Sequence, residues 1–289
     1  MAIRIPSTLA ANCQKSPERK SWLDQLPATI ESLSQKWSLQ LSPALDTPDV
    51  TASYIAPARR SDGASAILKI GMPHFEALHE IDGLRFWAGN PTVQLFESDA
   101  DHNAMLLERC DPGTTLRDLP LHEQDVVLAT LLPRLWRTPP APHPFRPLSA
   151  LTDQWTQETL AQQSHWPDES LVREGLRLFH DLPRNSTHEV LLATDLHAGN
   201  ILRSHREPWL VIDPKPFIGD PAYDATQHLF NNFDKLSISP FKRIQRLAVL
   251  LDLDLTRLRL WTFARLAAAP RDTWPDTASL ALARKLAPR

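Results

Sequence analysis

One stretch, residues 190–224, restricts what this chain can fold into more than any other part of the sequence. It begins with a short apolar run, Val190 to Ala193, that is typical of a buried strand, and a polar turn containing Asp195 and Asn200 follows. A later apolar run ends abruptly at Asp213. An Asp, an Asn five residues later and a second Asp thirteen residues further on form the layout of a kinase catalytic loop and metal-binding loop.

This layout assigns one chemical task to each polar residue. Asp195 would orient the attacking hydroxyl and accept its proton, while Asn200 and Asp213 would hold Mg²⁺ against the nucleotide phosphates. Taken alone, Asp195 or Asp213 could equally be a turn or cap residue, and only their joint spacing favours catalysis. His197, inside the same turn, is expected to pack and hydrogen-bond within the loop rather than to catalyse.

The residues before the central stretch predict a small lobe built on a sheet. A helix is predicted at residues 21–37 behind an irregular arm at residues 1–20, and a second helix runs from Pro73 to Trp87. Apolar runs separated by turn signals predict strands at residues 39–45, 50–58, 64–70, 91–97 and 104–108. The order predicts a five-stranded antiparallel sheet with one inserted helix, which is the order of a kinase N-lobe.

Lys69 lies near the end of the third predicted strand. It would contact the non-transferred phosphates of a nucleotide, and the alternative is an edge-strand lysine that reaches into solvent. Glu80 and Glu76 are four residues apart on the following predicted helix, so both would share one face. We expect Glu80 to pair with Lys69, with Glu76 as the second choice.

Two further segments would meet the nucleotide. The turn at residues 46–49 should cover the phosphates, but it has no glycine, and a backbone cradle at residues 51–53 is the open alternative. The breaker cluster at residues 109–113 is a natural hinge. Backbone groups of Glu108 and Cys110 are expected to bind adenine there. Cys110 is not expected to be a nucleophile, because no positioned base accompanies it.

The chain becomes mostly helical after this hinge, so the sequence divides into an N-lobe at residues 1–110 and a helical C-lobe at residues 111–289. Predicted helices occupy residues 121–137, 151–163, 170–182, 221–233, 240–251, 255–269 and 277–286. Acidic side chains on the C-lobe could receive ammonium or guanidinium groups of a substrate, namely Asp153, Glu158, Asp220 and Asp224. Asp220 and Asp224 are expected first to cap the next helix and to tether the catalytic loop, and burial in those roles would exclude them as substrate ligands.

Composition narrows the choice of partners. The formal net charge of −3 gives no argument for nucleic acid or an acidic membrane surface, and a cationic small molecule suits it better. Two distant cysteines among 289 residues predict reduced thiols in a cytoplasmic protein. We expect no signal peptide, no membrane span and, without tight ligand spacing of histidines, no structural zinc. A monomer and a homodimer are both compatible with the sequence.

Several motifs resemble those of the aminoglycoside phosphotransferases, and in particular of the branch that contains streptomycin and hydroxyurea kinases. The similar segments are TDLHAGN, REPWLVIDPKPFIGDPAYD, DGASAILKI, GLRFW and MLLERCDPGTTL. The resemblance implies an α+β, protein-kinase-like bilobal fold. It also implies that ATP, or alternatively GTP, together with Mg²⁺ serves to phosphorylate a hydroxyl of a small molecule such as streptomycin. It carries over Asp195 as base, Asn200 and Asp213 as metal ligands, and Lys69 with a helix glutamate at the phosphates.

The sequence departs from the pattern of that family at two places in the central stretch. Ala193 and Thr194 precede Asp195 where family members commonly have His-Gly, so the hydrogen bonds that support the loop must differ. The metal loop reads Asp213-Pro214-Lys215 instead of Asp-Phe-Gly. Two alternatives therefore remain: a kinase for hydroxyurea or another small metabolite, and a kinase-shaped binding module without activity.

Overall fold

The computed structural model describes residues 3–47, 50–270 and 277–288. The chain divides into two compact units. The first unit comprises Met1–Thr114 together with Leu202–Ile212, and the second comprises Thr115–Ile201 together with Asp213–Arg289. The hairpin at 202–212 therefore belongs with the N-terminal residues, although it follows the catalytic loop in sequence.

Residues up to Thr115 form the sheet and its helices. In chain order the elements are α1 (Ser7–Cys13), α2 (Pro17–Lys36), β1 (Gln40–Leu41), β2 (Ser53–Arg59), β3 (Ser65–Gly71), α3 (Glu80–Trp87), β4 (Leu95–Asp99), β5 (Ala104–Glu108) and β6 (Pro112–Thr115). The first five strands form one antiparallel sheet in the order β1-β2-β3-β5-β4. The predicted five-stranded sheet with an inserted helix is confirmed.

The rest of the chain is mostly helical, as expected. Its elements are α4 (Leu121–Leu135), α5 (Leu148–Leu160), α6 (Glu169–Arg184), β7 (Val190–Leu192), β8 (Ile201–Ser204), β9 (Trp209–Val211), β10 (Phe217–Gly219), α7 (Pro221–Asn231), α8 (Phe233–Ile238), α9 (Pro240–Leu251), α10 (Leu255–Ala268) and α11 (Thr277–Leu286). Strand β7 pairs antiparallel with β10, and β6, β8 and β9 form a small sheet. No helix in the described ranges is long and apolar enough to cross a bilayer.

Capping side chains set where several helices begin. Ser16 accepts a hydrogen bond from the amide of the third residue of α2, and Asp168 and Asp254 cap α6 and α10 in the same manner, whereas Asp220 accepts from the second residue of α7. Each cap satisfies a backbone N–H that has no partner inside its helix. Proline as the first residue of α2 and of α7 does not destabilise either helix, because the N–H at that position has no partner inside the helix.

The N-terminal residues are not the irregular arm predicted from their polarity. Helix α1 occupies Ser7–Cys13, and α2 already begins at Pro17. Leu9 and Cys13 are fully buried in the core formed with β2 and β3. The prediction was wrong because the amphipathic stripe of α1 is too short to give a clear period in the sequence.

Two predicted strands are shorter or shifted. Only Gln40–Leu41 of residues 39–45 is extended in the sheet, and β4 begins at Leu95 rather than at Pro91. Before β4, backbone hydrogen bonds join Pro91 and Val93 to Val211 of the hairpin. These residues are therefore extended as predicted, but their partner is β9 and not the five-stranded sheet.

Candidate active site

Asp195 follows β7 on a tight turn in the second unit. The strand is fully buried, and after it the Asp195 amide donates to the carbonyl of Ala193 at 2.7 Å. Both carboxylate oxygens of Asp195 accept hydrogen bonds, Oδ2 from Lys215 Nζ at 2.6 Å and Oδ1 from Gln227 Nε2 at 2.8 Å. The carboxylate is thus held in one orientation while its side chain remains 20% exposed.

Thr194 replaces the expected glycine at a position that has a left-handed backbone. Its φ is +48°, a region that β-branched residues rarely adopt. Its hydroxyl donates to the carbonyl of Lys215 at 2.6 Å, and the Lys215 amide donates to the carbonyl of Ala193 at 2.8 Å. These two bonds tie the catalytic turn to the metal loop, so they supply the altered support that the missing His-Gly predicts.

Asp220 and Asp224 serve the fold and are withdrawn as substrate ligands. Asp224 is 1% exposed, and its Oδ2 accepts from the amide of Ala193 at 3.1 Å and from Trp136 Nε1 at 3.0 Å. Asp220 is 4% exposed, caps α7, and accepts from Trp261 Nε1 at 2.5 Å and from Arg257. A carboxylate buried with several donors of its own chain cannot also receive a cationic ligand.

The other two acidic candidates lie on the surface of the helices and already have partners. Asp153 forms an exposed ion pair with Arg184 at 2.6 Å, and Glu158 accepts a hydrogen bond from Gln154 at 2.7 Å. Exposed pairs of this kind contribute little to stability, so a substrate could displace them at low cost.

Asn200 and Asp213 have the chemistry that a magnesium ion requires. Asn200 Nδ2 donates to the backbone carbonyl of Asp195 at 3.0 Å, so the amide oxygen is the atom that Asn200 offers to a cation. Asp213 follows β9 with φ of +53°, which Asp tolerates better than most residues. Within the described ranges no cluster of three or more His, Cys, Asp or Glu could hold a metal. Mg²⁺ needs only one or two protein oxygens when substrate phosphates and water complete its shell.

His197 shapes the loop, as expected from its position. Its Nδ1 accepts from the Gly199 amide at 3.0 Å, and its carbonyl accepts from the amide of Asn200. Burial lowers the pKa of His197, although the carboxylates of Asp195 and Asp213 oppose the shift. A neutral imidazole that accepts through Nδ1 stabilises the turn and is not set up as a second base.

In the first unit, Lys69 and Glu80 form a buried ion pair. Lys69 Nζ contacts the two carboxylate oxygens of Glu80 at 2.6 and 2.8 Å, and the residues are 5% and 3% exposed. The predicted helix is wrong in its first half: a 3-10 turn at Phe75–Ala77 precedes α3, and His79 has φ of +71°. Glu76 therefore does not share a helical face with Glu80, and the first choice of partner is the observed one.

Glu108 and Cys110 occupy the predicted hinge, with side chains committed elsewhere. The Glu108 carboxylate accepts from Arg206 of the hairpin at 2.7 Å and from the amide of Gln94 at 3.0 Å. Burial, followed by the Glu108 charge, raises the pKa of Cys110 to about 12. The thiol is therefore protonated at neutral pH, which agrees with the expectation that it is not a nucleophile. Both cysteines are free.

The expected phosphate-covering turn at residues 46–49 lies partly outside the described residues, because Pro48 and Asp49 are not described. The alternative cradle at residues 51–53 is held by α1 and by Met72, the residue that follows β3. The Thr51 carbonyl accepts from Asn12 Nδ2 at 3.0 Å, and the Ala52 carbonyl accepts from the amide of Met72 at 2.8 Å.

Sequence reasoning missed three residues around Asp195. Lys215 and Gln227 bind its carboxylate, and Arg265 Nη2 donates to Gln227 Oε1 at 2.7 Å. A basic residue inside the apolar run after Asp213 was a usable signal for Lys215. Gln227 and Arg265 gave none, since they reach the site only through the packing of α7 and α10.

Comparison with known proteins identifies relatives of this chain. A family model described as aminoglycoside/hydroxyurea antibiotic resistance kinase matches residues 36–273. The streptomycin 6-kinase of Streptomyces glaucescens is 33% identical over 276 residues, which cover 91% of this chain and 89% of that protein. The hydroxyurea phosphotransferase of Kitasatospora aureofaciens is 32% identical over 254 residues, which cover 85% of this chain and 72% of that protein.

Solved structures share the fold. Choline kinase LicA from Streptococcus pneumoniae superposes with a TM-score of 0.61 at 12% identity, and the superposed region covers 90% of this chain and 97% of that protein. Macrolide 2'-phosphotransferase type I gives a TM-score of 0.55 at 14% identity, and the superposed region covers 91% of this chain and 97% of that protein. These likenesses confirm the protein-kinase-like fold that was predicted from the sequence.

Proposed function

The chain belongs to the aminoglycoside/hydroxyurea antibiotic resistance kinase family, and we propose that this phosphotransferase moves the terminal phosphoryl group of Mg-ATP to a hydroxyl of streptomycin or a related aminoglycoside. The observation that carries the proposal is the Asp195 carboxylate, fixed by Lys215 and Gln227 on a turn that Asn200 braces. Phosphoryl transfer requires positioning more than covalent chemistry, and a carboxylate with both oxygens fixed meets that requirement.

Asp195 is the proposed base. It would accept a hydrogen bond from the attacking hydroxyl and take its proton as the bond to phosphorus forms. Lys215 Nζ, 2.6 Å from Oδ2, favours the ionised carboxylate and adds a positive charge beside the reacting hydroxyl. The carboxylate keeps acceptor capacity, because each of its oxygens has two lone pairs.

The nucleotide ligands are proposed in two groups. Asn200 and Asp213 would hold Mg²⁺, whose charge would offset that of the phosphates. Lys69, kept extended by Glu80, would contact the non-transferred phosphates, and the backbone at Glu108 and Cys110 would bind the adenine. A buried lysine suits this task, since its carboxylate partner removes most of its rotational freedom before the nucleotide arrives.

The acceptor is proposed from the relatives and from charge. Two similar proteins are named streptomycin 6-kinase, and a cationic acceptor agrees with the formal net charge of −3. The similarity to a hydroxyurea phosphotransferase, at 32% identity, makes hydroxyurea the second candidate.

Transfer from γ-labelled ATP, with GTP in parallel, tests the proposal across streptomycin, other aminoglycosides and hydroxyurea. We expect labelled streptomycin, and no transfer when Mg²⁺ is chelated. If only hydroxyurea is labelled, the proposed acceptor is wrong, but phosphoryl transfer from ATP remains the reaction. If nothing is labelled and Mg-ATP does not raise the melting temperature, the kinase-shaped binding module is the better account.

A further inference from the structure

A chain of hydrogen bonds runs from the base to a helix that carries no part of the proposed catalytic machinery. Gln227 on α7 donates from Nε2 to Asp195 Oδ1 at 2.8 Å, and its Oε1 accepts from Arg265 Nη2 on α10 at 2.7 Å. All three residues belong to the second unit. The base is therefore linked through one amide to a guanidinium more than sixty residues away in sequence.

Arg265 determines which end of the amide faces Asp195. A guanidinium has only donors, so the Gln227 oxygen must face Arg265. The amide nitrogen is then left for Asp195, and a donor placed on a carboxylate favours its ionised form. Without Arg265 the amide oxygen loses its donor, so the bond to Asp195 alone would hold the Gln227 side chain, and the amide could turn away from the carboxylate.

The guanidinium of Arg265 is itself firmly placed. Its Nη1 donates to Thr226 Oγ1 at 2.6 Å. Three aromatic rings surround it, with centroids 5.5, 4.9 and 4.7 Å from Cζ for Trp155, Tyr223 and Phe230. Cation–π contacts on several sides restrict the rotamers of the arginine, so its donors point in fixed directions.

We propose that Gln227 is a positioning residue for Asp195 and that Arg265, acting through Gln227, sets the polarity of the amide that orients the base. This inference rests on the proposed role of Asp195. Its consequence is kinetic: losing the donor leaves the carboxylate free to rotate away from the hydroxyl. A misplaced group of this kind costs about 10- to 100-fold in kcat.

Four variants test the chain of bonds by steady-state kinetics. Gln227→Glu keeps the shape and the contact with Arg265 but presents an oxygen to Asp195, and Gln227→Ala removes the link. Arg265→Met removes the guanidinium that donates to the Gln227 oxygen. We expect kcat to fall roughly 10- to 100-fold in each, with the KM for ATP unchanged. Combining Gln227→Ala with Arg265→Met should lower kcat no further than Gln227→Ala alone.

Thr226→Val is the matched control. It removes the other hydrogen bond of Arg265 without touching Gln227, while the three aromatic rings still hold the guanidinium, so it should lower the melting temperature and leave kcat within about threefold of wild type. Losses from Gln227→Ala and Arg265→Met that add in the double variant, or a wild-type kcat in Gln227→Glu, would overturn the inference.

Crystal structures of the wild type and of Arg265→Met make the test independent of turnover. The inference requires the Asp195 carboxylate to rotate or to occupy several conformers in the variant, and an unchanged carboxylate overturns it. Failure of the proposed function has a different signature. In that case the wild type itself would transfer no phosphate from Mg-ATP, or Asp195→Asn would match its rate, whichever orientation the Asp195 carboxylate takes in the two crystal structures.

Discussion

Asp224 gives this protein an unusual dependence of stability on pH. The carboxylate is fully buried in the second unit, where it holds the backbone of Ala193 immediately before the catalytic turn. Burial raises its pKa from 3.8 to about 6, although the donors Trp136 and Ala193 oppose the shift. Replacing Asp224 by Asn keeps one oxygen acceptor and removes the charge.

The size and sign of the effect follow from that pKa. A change of one in the pKa corresponds to about 1.4 kcal/mol of free energy. Well above pH 6, where the carboxylate is ionised, the folded state is therefore less stable by about 3 kcal/mol than with the protonated group. The folded pKa is raised, so the group stabilises the protein fully below the unfolded value of 3.8. It loses that contribution as the pH rises through about 6. Between pH 4.5 and 7.5 the loss is about 2 kcal/mol.

Urea unfolding of wild type and Asp224→Asn across this pH range measures the effect. Taking the difference between the two proteins cancels the titration of all other groups. We expect the unfolding free energy of Asp224→Asn to rise by about 2 kcal/mol relative to that of wild type between pH 4.5 and 7.5. Trp136→Phe is the control, since it keeps the carboxyl but removes a donor that opposes the rise of its pKa, so its stability should fall between pH 4.5 and 7.5 at least as much as that of wild type. A difference between wild type and Asp224→Asn that stays constant with pH would refute the reasoning.

Two further predictions concern the supports of the site. Glu80→Gln deprives buried Lys69 of the Glu80 carboxylate and should lower the unfolding free energy by about 3 kcal/mol. A variant as stable as wild type in urea would contradict the ion pair. Thr194→Val should cost about 1–2 kcal/mol because it loses the hydrogen bond to Lys215, and Thr194→Ser should cost little. If Val and Ser proved equally stable at this position, the hydroxyl would have no supporting role.

The sequence predicted those parts of the protein that depend on local pattern. Apolar runs between turn signals located most strands of the sheet, and Asp220, expected as a helix cap, marks the start of α7. The spacing of Asp195, Asn200 and Asp213 could be recognised because one short stretch carries the whole arrangement. Their roles as base and metal ligands remain predictions until activity is measured.

The sequence could not predict what depends on packing between distant elements. The start of α3 was misplaced because the left-handed residue His79, and not a proline or glycine, separates it from the preceding turn. Structural roles were expected of Asp220 and Asp224, but nothing local in the sequence indicates that both carboxylates are buried. Gln227 and Arg265 are ordinary helix residues until α7 and α10 bring them to Asp195.

The most direct test of the account compares phosphoryl transfer to streptomycin by wild type and Asp195→Asn at saturating Mg-ATP. Thermal shift with Mg-ATP should stay the same in both proteins, because the substitution leaves the proposed nucleotide ligands intact. We expect the variant to lose about 10²- to 10⁴-fold in kcat. A variant that binds Mg-ATP and transfers phosphate at a rate close to that of wild type would contradict the role of Asp195 as the base.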